Sequence, residues 1–528
     1  MIRVKQIKVP IRSNQEIEIK KRIGKKLRIK EEEIESILIK KKSIDARDKN
    51  QIYYIYECDC SVLKEENILR HNKSNDVSMS LPEEYKIEVT GKLSLKHRPI
   101  IVGSGPAGLF CSYLLAELGY RPILLERGEQ IEERIKTVEH FFQTGELNQN
   151  SNIQFGEGGA GTFSDGKLNT LTKDKENRIL KVFQIFVENG APEEILIENK
   201  PHIGTDILRK VIVNMRNKIL SMGGEFHYNS EVTDLEIENN HITGVIVNEK
   251  EIIPTDIVVL AIGHSARNTF QMLREKKIEM RKKNFAVGVR VEHKREMIDN
   301  SQYGENRKYL PPASYKLTYQ TSKNRGVYSF CMCPGGYVVN ASSEKECLVV
   351  NGMSNYQREG ENSNSAIVVT IGKDDLEEDL FSGLEFQREL ERKAYLAGSG
   401  KIPVQLLKDF IKNQKSISLG EIKPNTKGDY QLSNLNRILP EFVTESIKEA
   451  FPNFGKKIKG FDREDTLLLG VETRTSSPLV IVRDEEKESN VKGIYPCGEG
   501  SGYSGGITTS AIDGIKVAES IIKKYNNK

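Results

Sequence analysis

Residues 99–126 read PIIVGSGPAGLFCSYLLAELGYRPILLE. An apolar run at 99–102 enters a glycine turn, an apolar-faced helix over 109–118 leaves it, and a second apolar run at 122–125 ends in Glu126. Each part of the turn has a physical task. Gly103 permits the tight turn, Gly105 lets the backbone approach a pyrophosphate, and Gly108 lets the helix pack close to the strand. The helix N-terminus then offers its unpaired amides to phosphate charge. Glu126 stands about twenty residues beyond the glycines, where an acid accepts hydrogen bonds from ribose hydroxyls and repels a 2′-phosphate. The stretch therefore predicts a Rossmann-like α/β unit that binds a dinucleotide.

Two further glycine-rich stretches select the dinucleotide. FGEGGAGTFSDGK occupies 155–167, about thirty residues after Glu126, and includes Gly159; GIYPCGEGSGYSGGI occupies 493–507 and runs into a helical pattern. The last stretch places Gly498 and Glu499 near a ribityl and pyrophosphate chain. A helix N-terminus at Gly505, Gly506 and Ile507 then faces the pyrimidine end of a flavin, where the negative charge of the reduced ring is stabilised. Together the three stretches predict FAD.

Outward from this core, residues 1–97 read as a small N-terminal α/β domain, with alternation at 4–9, a charged helix over 15–29 and β-like runs at 34–44 and 51–62. Residues 98–266 form the first part of a discontinuous FAD-binding domain, 267–461 an inserted α+β substrate domain, and 462–528 the C-terminal part of the FAD-binding domain. A long amphipathic helix is expected over 376–397. The 528 residues exceed one ordinary core. With 79 Lys and Arg against 75 Asp and Glu, the charge argues against nucleic acid as the main partner. The Lys-rich segment that contains Lys20, Lys21, Arg22, Lys25, Lys26 and Arg28 reads as a solvated helix face. The opening residues lack the layout of a signal peptide, and the longest apolar stretch, 100–119, is broken by glycines, a proline and an acid, so a cytoplasmic protein with no membrane span is expected. Seven cysteines without framework spacing imply reduced thiols.

The motifs VGSGPAGLF (102–110), FGEGGAGTFSDGKL (155–168), AIGHSAR (261–267), YSFCMCPGGYVV (328–339), GVETRTSSP (470–478) and YPCGEGSGYSGGI (495–507) resemble a bacterial group of uncharacterised FAD-dependent dehydrogenases in the glutathione reductase-like superfamily. The resemblance runs from about residue 98 to the end, and the leading unit is similar to the extra domain found ahead of the FAD domain in that group. It implies that Gly103, Gly105, Pro106, Ala107, Gly108, Glu126 and Arg127 contact the ADP half. Val232 would meet adenine through backbone groups, and Gly263 would end the strand that closes over the cofactor. Gly498, Glu499, Gly505, Gly506 and Ile507 would meet the ribityl chain and ring. Glu499 stands where many relatives carry Asp, a departure that steers the analogy away from aromatic hydroxylases.

The chemistry is less specified than the cofactor. No Cys-x-x-Cys lies beside the first helix, so a disulfide reductase of the usual kind is not indicated. Cys58 and Cys60 share one strand face and read as packing. Cys333, in Cys331-Met332-Cys333-Pro334-Gly335-Gly336, and His264 and Arg474 are the candidate catalytic residues. No ligand set for a metal appears. The expected activity is hydride transfer between a small-molecule substrate and flavin N5. NAD(P)H as electron donor would have to reach the flavin without a Rossmann domain of its own. A flavin-dependent tRNA-modifying enzyme and a flavin sensor without turnover are the alternatives. On this reading a bulky residue in place of Gly105 abolishes flavin binding, and a purified variant that keeps its yellow cofactor overturns it.

Overall fold

The computed structural model describes residues 1–170 and 172–527. Its first unit is an antiparallel sheet in the order Ile34–Asp45, Tyr53–Val62, Ile2–Pro10, Val77–Met79. Ile2 and Val4 and, past a bulge that resets the alternation, Ile7 and Val9 face one side, where Ile19, Ile23 and Leu27 of the helix Gln15–Leu27 cover them. Asn14 caps that helix by accepting from the Ile17 amide. Cys58 and Cys60 are fully buried in this core. Burial pushes their thiols up to about 12 and about 11, so they are packing residues rather than reactive ones. The chain after Met79 no longer belongs to this sheet. Tyr85 donates to Glu519, and the Gly91 amide donates to the Ile522 carbonyl, so the residues ahead of 97 lie along the C-terminal helix Ile507–Lys524.

The second unit is built on five parallel strands in the order Ile494–Pro496, Val258–Leu260, Ile100–Val102, Ile123–Leu125, Glu225–His227. The chain crosses from one side of Ile100–Val102 to the other, which opens a crevice at the carboxyl ends of the strands. Helix Pro106–Glu117 buries ten of its residues and shows no apolar stripe, because it lies between this sheet and helix Ile507–Lys524. Two glycines make the sandwich possible. A Cβ on Gly108 would stand 1.9 Å from the Gly103 carbonyl oxygen, and one on Gly514 2.2 Å from that of Ala107. A three-stranded antiparallel sheet, Val232–Glu238, His241–Val247 and Glu251–Pro254, follows in the chain, and its first two strands join through Asn239 and Asn240, both at positive φ.

The middle unit centres on a seven-stranded sheet in the order Thr318–Gln320, Gly326–Cys333, Asn362–Ile371, Phe285–Lys294, Leu467–Glu472, Ile402–Leu406, Tyr430–Leu432. Helix Glu441–Lys457 packs Phe451 and Phe454 around Phe461 in its core. The amphipathic helix expected over 376–397 starts later, at Ser382, and ends at Gly398. The boundary expected at 462 also moves. Leu467–Glu472 pairs with Phe285–Lys294 and Ile402–Leu406, so it is a strand of the middle sheet, and the return to the parallel sheet comes after it. An apolar run buried on both faces fits either sheet, which is why its pattern did not place it.

A buried charge cluster joins the middle unit to the parallel sheet. Glu391, from helix Ser382–Gly398, accepts from Arg267 at 2.9 and 3.0 Å, from Arg474 at 2.9 and 3.0 Å, and from the Thr473 hydroxyl at 2.7 Å. Burial opposes its charge, but the two guanidiniums hold the Glu391 carboxyl well below the usual carboxylate range. Glu391→Gln leaves buried Arg474 without a carboxylate and Arg267 with Glu344 alone, and is expected to cost about 3–5 kcal/mol in a denaturant titration. In the wild type this contribution is complete above about pH 4.3, the unfolded value, and declines as the pH falls further; the variant lacks that decline.

Candidate functional site

At the end of strand Ile100–Val102 the chain turns at Gly103, whose φ is +99° and whose Cβ would stand 2.4 Å from the Ala261 carbonyl oxygen. Ser104 and Gly105 lead into Pro106 at the first helical position. Glu126 organises this turn. Its carboxylate accepts from the Ser104 amide at 2.9 Å, the Ser104 hydroxyl at 2.6 Å, and the Gly128 and Gly156 amides at 3.0 Å each. A carboxylate has about four lone-pair sites, so Glu126 already has its complement and ties the first glycine turn to the second glycine loop. The role expected for it at the ribose therefore becomes first a scaffolding one.

The second loop is wound round a guanidinium. Arg134, from helix Ile131–Thr144, is fully buried and donates to the carbonyls of Asn152, Ile153, Gly156, Glu157 and Gly159 at 2.6–3.1 Å. Burial pushes it down to about 9, so it is still charged at neutral pH. The loop then lies against the first turn. The Gly158 amide donates to the Ser104 carbonyl, and a Cβ on Gly159 would stand 2.9 Å from the Gly105 Cα.

The C-terminal motif meets the same place. Gly498 has φ +79° and donates to Asp513, which Arg483 holds by a paired hydrogen bond. The Thr508 hydroxyl, in the first turn of helix Ile507–Lys524, donates to the Leu168 carbonyl and fixes that helix end against the second loop. Three distant glycine segments thus surround one cavity of about 390 Å³, with Phe330, Cys331, Asn351 and Glu472 of the middle unit on its far side.

Most of the residues expected at the cofactor line this cavity. Gly103, Gly105, Pro106, Ala107, Glu126 and Arg127 form one end, with Gly159 and Val232 beside them. Gly263, Glu499, Gly505, Gly506 and Ile507 continue the wall. Gly108 and Gly498 are not in it. They serve close packing behind it, since a Cβ on Gly498 would meet the Ala107 Cβ at 2.7 Å. Arg127 lies over the Phe155 ring at 4.3 Å and is anchored by Glu231 at 2.7 Å.

Of the catalytic candidates, His264 and Arg474 line the cavity and Cys333 does not. Four of the five N–H donors of Arg474 are taken by Glu391, Ser265 and Ser343. His264 shares Nδ1 with Glu499 at 2.8 Å, while its buried Nε2 has no partner among the described residues. Cys333 is fully buried; Cys331 lines the cavity. A bulge between Phe330 and Cys333 takes the pair out of regular strand geometry and leaves Cys331 at φ +43°.

Lys167 and Glu472 were not singled out in the sequence. Lys167 Nζ is buried, lies 3.6 Å from Asp165 and has no hydrogen-bond acceptor among the described residues. Asp165 is shared with Arg358, at 2.6 and 3.0 Å, and with the Ser354 hydroxyl. Burial opposes the charge of Asp165, but Lys167 and Arg358 hold it below the usual range. Burial pushes Glu472 up to about 7, although Arg290 lies 3.0 Å away. Their only sequence signal was membership of the motifs at 155–168 and 470–478.

The cavity passes a test for a flavin nucleotide on its own geometry. A Cβ on Gly505 or Gly263 would meet nothing within 4 Å, and one on Gly105 only the Gly159 Cα at 3.9 Å, so these glycines border open space. The N-termini of helices Pro106–Glu117 and Ile507–Lys524 supply amides for anionic groups at two points of the same wall.

The comparisons with known proteins agree in outline. The family described as "Pyridine nucleotide-disulphide oxidoreductase" matches residues 80–293, "FAD-dependent protein, C-terminal domain-like" matches 284–475, and a domain of unknown function matches 1–61. A curated Clostridium beijerinckii protein, described as uncharacterized, is 46% identical over 515 residues, which is 96% of each chain. Among solved structures, L-proline dehydrogenase from P. horikoshii aligns at 16% identity over 81% of this chain and 94% of its own, with a TM-score of 0.35. Glycine oxidase from Bacillus cereus aligns at 12% over 80% and 94%, with a TM-score of 0.30. Scores this low carry no argument. The near full-length relative and the two matched families do: this chain belongs to a family of FAD-dependent oxidoreductases that shares its architecture with the clostridial protein.

Proposed function

We propose that this protein transfers a hydride between a small substrate and flavin N5, with the FAD lying along the cavity between the first glycine turn and helix Ile507–Lys524. The observation that carries the reading is the convergence of three glycine segments and two helix N-termini on one cavity whose glycines border open space. Bound there, FAD supplies a two-electron acceptor and donor. The chain supplies the rest. Amides at Ala107 and Ile507 face anionic groups, and the middle unit covers the far side with Phe330 and Cys331. Glu472, pushed up to about 7 by burial, is partly protonated at neutral pH in the cavity lining, which is the property of a general acid. Lys167, 3.6 Å from Asp165 and without a hydrogen-bond acceptor among the described residues, offers its ammonium to negative charge. The middle unit, 267–461 with the strand Leu467–Glu472, is the substrate side in this reading. NADH or NADPH, as donor, reaches the flavin through the open cavity.

Gly505→Val is expected to fold normally, because a Cβ there meets nothing, yet to lose FAD by at least about tenfold in affinity, read from cofactor released on denaturation. Gly108→Ala should instead lower thermal stability, since its Cβ meets a carbonyl. Anaerobic mixing with NADH and with NADPH, followed by an acceptor screen at the flavin band, tests turnover. Neither donor reducing the flavin, and no acceptor reoxidising it faster than free reduced flavin, would remove the reading. The pH profile of reduction is expected to fall through an inflection near 7 as Glu472 ionises, and Glu472→Gln to flatten it.

A further inference from the structure

Lys167 and Asn351 both line the middle-unit end of the cavity, and each holds a donor with no acceptor among the described residues. Asn351 lies in strand Val350–Met353. Its Oδ1 accepts from Arg290 at 3.0 Å and from the Gly352 amide at 2.7 Å, and two donors on one oxygen fix which way the side-chain amide turns. Its Nδ2 is left over. The same Arg290, fully buried, donates to Glu472 and to the Cys331 carbonyl, so one guanidinium sets Asn351, Glu472 and Cys331 side by side on the wall. Lys167 reaches this wall from the second glycine loop. The Ser354 hydroxyl, next to the strand that carries Asn351, donates to Asp165, and Arg358 takes both Asp165 oxygens at 2.6 and 3.0 Å. Asp165 therefore answers Arg358 by hydrogen bonds and Lys167, at 3.6 Å, only through space. Two cations share one carboxylate, which leaves a positive charge over. The attraction of Lys167 and that of Arg290 both reach the Cys331 thiol, which sets the ammonium beside the group that Arg290 holds.

We propose that the substrate is a small carboxylate whose anionic group is bound by Lys167 Nζ and Asn351 Nδ2 at the middle-unit end of the cavity. This names the substrate class for the hydride transfer and rests on that reading of the cavity. A buried ammonium without an acceptor is costly, and a carboxylate supplies oxygens for it and for the amide at once. The charge left over is that of a monoanion. Asp165 and Glu472 flank the two donors, so a dianion such as a phosphate ester meets two carboxyl groups with only one spare positive charge to offset them. Phe330, on the same wall, gives the rest of the molecule an apolar surface. Neither donor is needed to hold the fold, since both are without partners in it.

The test uses the full-length flavoprotein with three probes of one shape: benzoate, its neutral isostere benzamide, and phenyl phosphate. Binding is read by equilibrium dialysis of the labelled compound and by perturbation of the flavin band. Benzoate is expected to bind saturably, at least about tenfold more tightly than either of the others. This comparison needs no variant. Lys167→Met and Asn351→Leu should each weaken benzoate by about tenfold and leave benzamide binding and flavin content unchanged. Lys316→Met, at an exposed lysine outside the cavity lining, should bind benzoate as the wild type does. Three results with flavin still bound overturn the carboxylate class and leave the flavin reading intact: no saturable binding of benzoate, equal affinity for benzamide, or tighter binding of phenyl phosphate. A Lys167→Met protein that folds but loses FAD gives the ammonium to the cofactor and overturns the inference as well. A wild-type protein that binds no flavin overturns both.

Discussion

Arg134 carries a full positive charge into the loop 152–159 and donates to five backbone carbonyls there. No carboxylate takes a hydrogen bond from it; Glu126 and Glu157 act on it only through space. A buried guanidinium satisfied by carbonyls alone imposes a definite curvature on the chain, because its donors point in fixed directions within one plane. Glycines at 156, 158 and 159 take positive φ to follow that curvature. The loop so shaped presents Gly159 to Gly105 and Gly161 to Ile507, and the cavity exists because these surfaces meet without side chains between them.

The same economy of side chains governs the layer beneath. Helices Pro106–Glu117 and Ile507–Lys524 approach closely through Gly514, and Gly108 seats the first of them on the turn at Gly103, so their N-termini reach the cavity together. Glu126 then locks the first turn to the loop through amides rather than through other charges. Charge is concentrated where units join. Glu391 binds Arg267 and Arg474 between the middle unit and the parallel sheet, whereas Arg290 and Glu472 pair within the middle sheet beside the cavity. Buried pairs of this kind are costly to break by removing one partner, which gives the two units a fixed relation across the site.

Arg474 lines the cavity with four of its donors engaged by Glu391, Ser265 and Ser343. Lys167, by contrast, passed unremarked in a glycine-rich motif and brings its ammonium to the cavity wall beside Asp165. The difference between them is a matter of partners more than a hundred residues away for Ser343, and such partners leave no local pattern.

By itself the sequence determined the strand, turn, helix and strand of 99–126 and the strands of the first unit, because period, glycine and cap chemistry are local. It marked too the three glycine stretches whose residues line one cavity. Only the tertiary structure decided that Glu126 is saturated by amides, that Arg134 shapes the second loop, and that Leu467–Glu472 joins the middle sheet. It also decided that Cys331, not Cys333, faces the cavity, because one extra residue in a strand reverses which side chain points out and no periodicity announces a bulge. These are long-range matters of which donor meets which acceptor, and hydrogen bonds between distant segments are written in the fold rather than in any stretch of chain.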